Sequence, residues 1–251
     1  MVPPWLGAVL GSALGAIIGS FLATVIIRWP RGESVSAGRS HCDDCGRQLG
    51  ALELVPLISM IWLRGRCRAC GATIDRRHVL VELAAAAIGG VALGLFPDLG
   101  GLSWALLGWA LLVLAILDAE HFWLPDAITL PLVALGLLLG GVATGVTISD
   151  RVIGFAAGFA SLWAVAASYR VIRHRDGLGG GDAKLFGAIG AWVGWQALPF
   201  VLLTSSVIAL FAVGVAMLRG RAIAADSAFP FGTALCLGTL PAWVLVRLMT
   251  A

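Results

Sequence analysis

The sequence predicts an all-α polytopic membrane protein with about eight transmembrane helices. Three observations carry this reading: long apolar runs, a low charged fraction, and a one-sided distribution of Arg. Only 12% of the 251 residues are charged and 59% are hydrophobic, whereas a soluble domain carries about 25% charged residues. A soluble core cannot hide so much apolar sequence, and the length of the apolar runs fits membrane spans. The net charge of +3 says less than where the charges fall. Nothing in the pattern calls for a nucleic-acid partner; the lipid bilayer is the partner that composition implies.

The first apolar run, Trp5 to Ile27, lacks a basic start, exceeds the apolar core of a signal peptide and leads straight into Arg28 and Arg31. It therefore reads as a retained span. Further spans are expected at about 79–96, 102–118, 127–146, 152–169, 184–197, 200–218 and 229–247. A bilayer needs about 20 helical residues, so the sixth is short. Pro199 divides it from the seventh, and the two read as separate spans, one re-entrant pair or a bent hairpin.

With alternating connections, one side collects Arg28, Arg31, Arg39, Arg47, Arg64, Arg66, Arg68, Arg76 and Arg77 from the first connection. Arg170, Arg173, Arg175, Arg219 and Arg221 fall on that side too, with Lys184 at its edge; only Arg151 and Arg247 fall opposite. This asymmetry predicts that the Arg-rich side is cytoplasmic. Asp118 ends the third span and Asp182 precedes the sixth, so both acids are expected at one depth on that side.

Residues 28–78 form the only long polar stretch. Cys42-Asp43-Asp44-Cys45 and Cys67-Arg68-Ala69-Cys70 stand within it, each followed by Gly (Gly46, Gly71), with 21 residues between them. Two CxxC turns at this separation suit one tetrahedral zinc site of four thiolates, structural because no coordination position stays open. Disulfides are disfavoured on a reducing cytoplasmic side. The expected organisation is a first span (1–27), a small cytoplasmic zinc-knuckle domain (28–78) and a membrane-embedded domain (79–251). Cys236, inside the last span, reads as a packing residue. The segment from Glu53 to Trp62, followed by Arg64 and Arg66, reads equally as an interfacial strip or as the packed body of the loop domain. Glu82, four residues after His78, reads first as a helix-start acid.

Ionisable groups in membrane spans are costly, so each is a functional candidate. Asp118 follows the uninterrupted apolar run Leu111 to Leu117 and so lies within helix. Asp182 follows Gly179-Gly180-Gly181. Glycine permits positive φ and close approach of another chain, as an extended peptide substrate requires beside an acid. Gly179, Gly181 and Lys184 are therefore candidate substrate-access residues, although Gly and Asp also serve as a plain helix cap. Lys184 reads as a phospholipid headgroup contact in preference to a tuner of the acids. Glu120, His121 and Asp126 read as surroundings: solvated surface, polar lining and, with Pro125 opening the helix, a first-turn acid. Two carboxylates that meet can divide labour, one taking a proton from water while its protonated partner donates to a carbonyl oxygen. Asp118 and Asp182 are the catalytic candidates.

An ordered set of motifs then resembles a known family. It comprises Gly19-Ser20-Phe21-Leu22 with Arg28 and Pro30, both CxxC turns, and Gly65-Arg66-Cys67-Arg68-Ala69-Cys70-Gly71. It continues through Glu82, Asp118 to Asp126 with Leu124-Pro125, Gly179 to Lys184, and Pro230-Phe231-Gly232. Across nearly its whole length the chain resembles the type IV prepilin peptidases, leader peptidases of type IV pilins and type II secretion pseudopilins. The resemblance implies an aspartic protease of the bacterial inner membrane whose catalytic acids match Asp118 and Asp182. Its substrates would be prepilins or pseudopilins with a short basic leader, cut on the cytoplasmic side. It also implies N-methylation of the new terminal residue from S-adenosylmethionine. Ala23 stands where the family commonly has Asn, and Asp43 where it usually has Pro. A peptidase without methylation and a proton-coupled transporter are the alternatives. The transporter would require acids near mid-span and internal repeats, and neither is evident in the sequence.

Overall fold

The computed structural model describes residues 3–35, 40–174, 177–220 and 229–250. Arg39, Arg175 and Arg221 of the charge count lie outside the described residues, as does the side chain of Arg247. The helices are α1 (Pro4–Arg28), α2 (Ile58–Trp62), α3 (Arg76–Leu95), α4 (Leu99–His121), α5 (Asp126–Thr144), α6 (Ile148–Arg173), α7 (Gly180–Val193), α8 (Leu198–Leu218) and α9 (Phe231–Thr250). Each expected span coincides with one of α1 and α3 to α9. Six are long and apolar enough to cross a membrane: α1, α3, α4, α5, α6 and α8. The protein is an all-α, multi-pass membrane protein, and the described residues form no strands beyond isolated bridges.

The sixth and seventh spans divide at a different place from the one expected. Gly194, at φ +80°, ends α7, and one 3-10 turn, Trp195–Ala197, leads into α8. Pro199 lies in the first turn of α8, where a ring with fixed φ and no N–H costs nothing. With 14 residues, α7 is about 21 Å long, short of a hydrocarbon core of about 30 Å. It compensates by burial: from Asp182 to Val193 every residue except Lys184 is buried, against α5, α6 and α9. Polar and irregular backbone at membrane depth is tolerated where protein covers it.

Contacts divide the chain into two units, Met1–Trp109 and Ala110–Ala251. In the first, Gly7, Gly11, Gly15 and Gly19 repeat every fourth residue and form one buried edge of α1. A Cβ on Gly11 would fall 2.1 Å from the carbonyl oxygen of Gly89, and one on Gly15 2.2 Å from that of Ala85. The two backbones therefore touch, as small-residue repeats allow in membranes. Ala23 continues the series and is fully buried. Trp109 donates its indole N–H to the Ala85 carbonyl at 2.9 Å.

In the second unit the same device joins α6 to α7: a Cβ on Gly190 would meet the Gly154 oxygen at 2.2 Å. Trp192 donates to the Leu132 carbonyl at 2.9 Å and fills the space left by Gly136. Arg151, expected in a connection, is buried in the first turn of α6 and donates to the carbonyls of Gly136 and Leu137 at 2.7 and 2.9 Å. Backbone oxygens satisfy its charge there, as buried membrane cations require.

Glu53 to Trp62 is partly packed and partly exposed. Ile61 and Trp62 are 80% and 64% exposed, and Leu52 and Ile58 are exposed beside them. Glu53 pairs with Arg47 and the Leu57 N–H bonds to Glu82.

Gly11→Leu should force α1 and α3 apart at a cost of about 1–3 kcal/mol, the range for overpacking, and lower the melting temperature in detergent by several degrees. Gly214→Ala, where a Cβ meets nothing within 4 Å, should instead hold or raise it, by up to about 1 kcal/mol from helix propensity.

Candidate active site and metal centre

Asp118 lies one turn before the end of α4 and is 5% exposed. Its Oδ2 accepts the backbone N–H of Thr233 at 2.6 Å, at the start of α9. The Thr233 hydroxyl stands 3.0 Å from the same oxygen and 2.9 Å from the Ala115 carbonyl, so its single proton serves one of them. Gly232 makes this approach possible, since a Cβ there would fall 3.0 Å from the Asp118 carboxyl carbon and 2.8 Å from Leu124 Cδ1.

Asp182 is the third residue of α7 and 8% exposed. Its Oδ2 accepts the Gly179 N–H at 3.2 Å, in the manner of a capping box. Its Oδ1 is buried with no hydrogen-bond partner among the described residues. Most buried polar atoms are satisfied, so this oxygen is singled out among the buried carboxylates. Leu124 links the two surroundings: it packs at Gly232 beside Asp118 and against Gly181, where a Cβ would lie 2.9 Å from Leu124 Cβ.

The glycines before Asp182 differ from expectation in one respect. Gly179 has φ −68° and caps α7, and none of Gly177 to Gly181 has positive φ. What they supply is space: Gly181 is filled by Leu124, whereas a Cβ on Gly180 would meet nothing within 4 Å.

Lys184 forms an ion pair that the sequence did not show. Its Nζ lies 2.7 Å from both carboxylate oxygens of Asp126, tying the start of α7 to the start of α5. The pair is exposed, so it contributes at most about 1 kcal/mol. Glu120 and His121 are exposed and lie 3.7 Å apart. Phe122, at φ +52°, ends the helix behind them.

In the first unit the two CxxC turns have one geometry. Gly46 donates to the Cys42 carbonyl and Gly71 to that of Cys67, both at 2.9 Å. The glycines have φ +68° and +74°, a conformation that a side chain would strain. Short bridges, His41 with Gln48 and Arg66 with Thr73, close each turn. The sulfurs of Cys42, Cys45, Cys67 and Cys70 all lie within 4.8 Å of one another, and Cys42 and Cys70 Sγ are 3.9 Å apart. A tetrahedron with zinc–sulfur bonds of about 2.3 Å has edges of roughly 3.8 Å, so the four residues fit this ion. The backbone amides of Cys70 and Ala69 draw the Cys67 thiol down to about 6, while, against the Ala72 amide, burial and the neighbouring cysteines push Cys70 up to about 12, so without a metal the cluster holds its protons unevenly.

Between the turns and the membrane helices of this unit lies a cavity of about 320 Å³, within the range of about 300–1,000 Å³ for small-molecule sites. Ser20, Thr24, His78 and Glu82 are among its polar lining; Phe21, Met60 and Leu63 are among the apolar. Glu82 is more than a helix-start acid. It is 5% exposed, and its Oε2 accepts the Leu57 N–H at 2.9 Å.

Two residues of these sites, Thr233 and Leu124, and one glycine repeat carry roles that the sequence reading did not assign. Thr233 lies 115 positions from Asp118, and no local pattern joins them. Leu124 was noted only as part of a motif. The repeat Gly7, Gly11, Gly15, Gly19 carries a legible spacing of four and was the available signal for the α1–α3 pairing.

Comparison with known proteins follows the division of the chain. Residues 13–96 match the bacterial peptidase A24 N-terminal domain, and residues 105–214 match the type IV leader peptidase family. The chain is similar to a protein of Aeromonas hydrophila, 43% identical over 195 residues, covering 77% of this chain and 67% of the relative. It is also similar to one of Aeromonas salmonicida, 44% identical over 185 residues (73% and 64%), and to one of Burkholderia pseudomallei, 42% identical over 211 residues (83% and 68%). Each relative is named prepilin leader peptidase/N-methyltransferase. The chain thus spans about two thirds of the length of these curated relatives. No solved structure matches. Two matched family models and identities above 40% along most of the chain lead to one conclusion: the chain belongs to the type IV leader peptidase family.

Proposed function

We propose that this enzyme cleaves the basic leader from prepilins or pseudopilins by a two-aspartate mechanism and N-methylates the new terminus. The observation that carries the reading is the pair of buried carboxylates in the second unit. Asp118 is anchored by Thr233, and Asp182 presents a buried Oδ1 with no hydrogen-bond partner among the described residues.

In this mechanism the ionised member of the pair takes a proton from water. The hydroxide equivalent adds to the scissile carbonyl carbon while the protonated member donates to the carbonyl oxygen. Collapse of the tetrahedral species then expels the amine, which takes a proton from the acid that received one from water, while a hydroxyl of the gem-diol returns its proton to the other acid and leaves the carboxyl product. Like charges in one desolvated site cannot both ionise easily, so the pair shares a proton. The open space at Gly180 supports access for an extended substrate backbone, with Gly179 and Gly181 beside it. Lys184 holds the start of α7 through Asp126. The concentration of Arg in the first connection and at the ends of α6 and α8 supports a cytoplasmic location for both acids and the cysteine loop, in the bacterial inner membrane.

Cys42, Cys45, Cys67 and Cys70 would hold a structural zinc, which folds the loop without a large core. S-adenosylmethionine, when bound, supplies a sulfonium methyl group that the free amine of the cleaved product takes with loss of one proton.

Asp118→Asn and Asp182→Asn should each lower leader cleavage at least about 10²–10⁴-fold, the scale of acid–base catalysis, while membrane insertion stays normal. Cleavage of a synthetic prepilin by purified variants measures this, and retained activity in either variant removes that residue from the mechanism. Chelation, or Cys67→Ser, should release the metal and open the loop to protease while Asp118 and Asp182 still support measurable cleavage. Metal analysis and limited proteolysis report both effects. Mass spectrometry of the product N-terminus with and without S-adenosylmethionine should show a gain of one methyl group; an unmethylated product in both cases would leave the peptidase alone.

A further inference from the structure

The short helix α2 turns an apolar face outward. Ser59, Met60 and Leu63 line the cavity behind it, whereas Ile58, Ile61 and Trp62 are exposed. Spacings of three and four residues put these three on one helical face. Leu52, exposed on the 3-10 turn Ala51–Leu54, lines a small cleft together with Trp62 and Arg68, so the patch extends beyond α2. Large apolar side chains gathered at a surface mark an interaction site.

The backbone at both ends fixes the helix in this attitude. Leu57 has φ +61° and ψ −45°, and Ile58 donates to the Pro56 carbonyl at 2.6 Å, a γ-turn of the rare, strained form. At the other end Arg64 has φ +51°, and Gly65 donates to the Met60 carbonyl at 2.9 Å. Positive φ at residues that carry side chains stores strain, and such strain collects at functional positions.

Depth identifies what covers the face. The Leu57 N–H donates to Glu82 Oε2 at 2.9 Å, and Glu82 stands on the second turn of α3, about 9 Å beyond Arg76. On α1, Thr24 lines the same cavity as Ser59 and Met60, one turn before Arg28. The start of α2 is therefore tied beside the membrane helices, on the apolar side of the exposed Arg76 and Arg77. Leu80 and Leu83, exposed on α3, mark this level as apolar. An interfacial helix buries its apolar face about 5–10 Å into the headgroup boundary, which is the depth found here. Charge agrees with depth. Arg64, Arg66 and Arg68 follow α2, are exposed and form no ion pair among the described residues. Cations beside an apolar face suit anionic headgroups.

We infer that the outer face of α2 docks into the anionic phospholipid leaflet at the Arg-rich end of α1 and α3, holding the cysteine loop against the bilayer.

The test places the zinc-loaded full chain in nanodiscs with brominated acyl chains, of phosphatidylcholine alone or mixed with phosphatidylglycerol. Trp62 fluorescence is read as the difference between the parent and Trp62→Phe, with metal content measured on both. Brominated lipid should quench Trp62, more strongly with phosphatidylglycerol, and aqueous iodide should not. Replacing Arg64, Arg66 and Arg68 by Gln should abolish the difference between the two lipid compositions. Ile61→Asp, at an exposed position, should keep its zinc. By removing one aliphatic side chain from the leaflet, it should speed tryptic cleavage after Arg64 and Arg66 at least about tenfold in the mixed discs. Quenching of Trp62 by iodide and not by brominated lipid overturns the docking. Shielding that arises only when a prepilin is added gives the face to the substrate and overturns it as well. Equal lipid quenching in the two compositions overturns the assignment to anionic lipid.

Discussion

Backbone-to-backbone contact at glycine is the interaction on which both units depend. Lipid offers helices no hydrophobic reward for leaving it, so association must come from close packing and hydrogen bonding. Gly11 on Gly89 and Gly154 on Gly190 bring main chains into direct contact. Side chains of any size would separate the helices and leave gaps that dispersion could not fill. The same close approach sets the polar groups: Gly19 admits Glu82, Gly232 admits Asp118, and Gly181 admits Leu124. The glycines thus determine where three costly or wedge-like side chains can sit.

Those side chains share a second constraint. Glu82, Asp118 and Asp182 are all buried, and all lie within two turns of a helix end. Helix N-termini carry spare N–H donors, and each acid takes one from such a start: Leu57 before α2, Thr233 in the first turn of α9 and Gly179 before α7. A carboxylate at mid-helix in hydrocarbon would have no such donor. The position of the acids near one end of their helices weighs against the transporter alternative, which requires them at mid-span.

Much of this was legible because the physics is local. A run of apolar residues of sufficient length must be a span, and all eight expected spans coincide with helices. A CxxC followed by Gly must turn tightly, and both do, at positive φ. Acids in apolar sequence stand out by their cost. The rest was not local. The exposed Ile61 and Trp62, the break at Gly194 and the Lys184–Asp126 pair each depend on a neighbour distant in sequence or on its absence. Pro199 attracted the break because proline usually interrupts helices. It opens α8 instead, since the preceding turn had already ended α7.

Composition and spacing alone determined that this chain crosses the membrane repeatedly, that four cysteines can meet at one ion, and which acids are costly enough to need a purpose. These follow from transfer free energies and chain geometry over a few residues. The tertiary structure decided what holds those acids: Thr233 for Asp118, the cap at Gly179 for Asp182, the strained amide of Leu57 for Glu82. It also decided that one oxygen of Asp182 has no partner among the described residues. Such matters depend on which helix ends face one another, and that is set by glycine contacts between segments far apart in the chain.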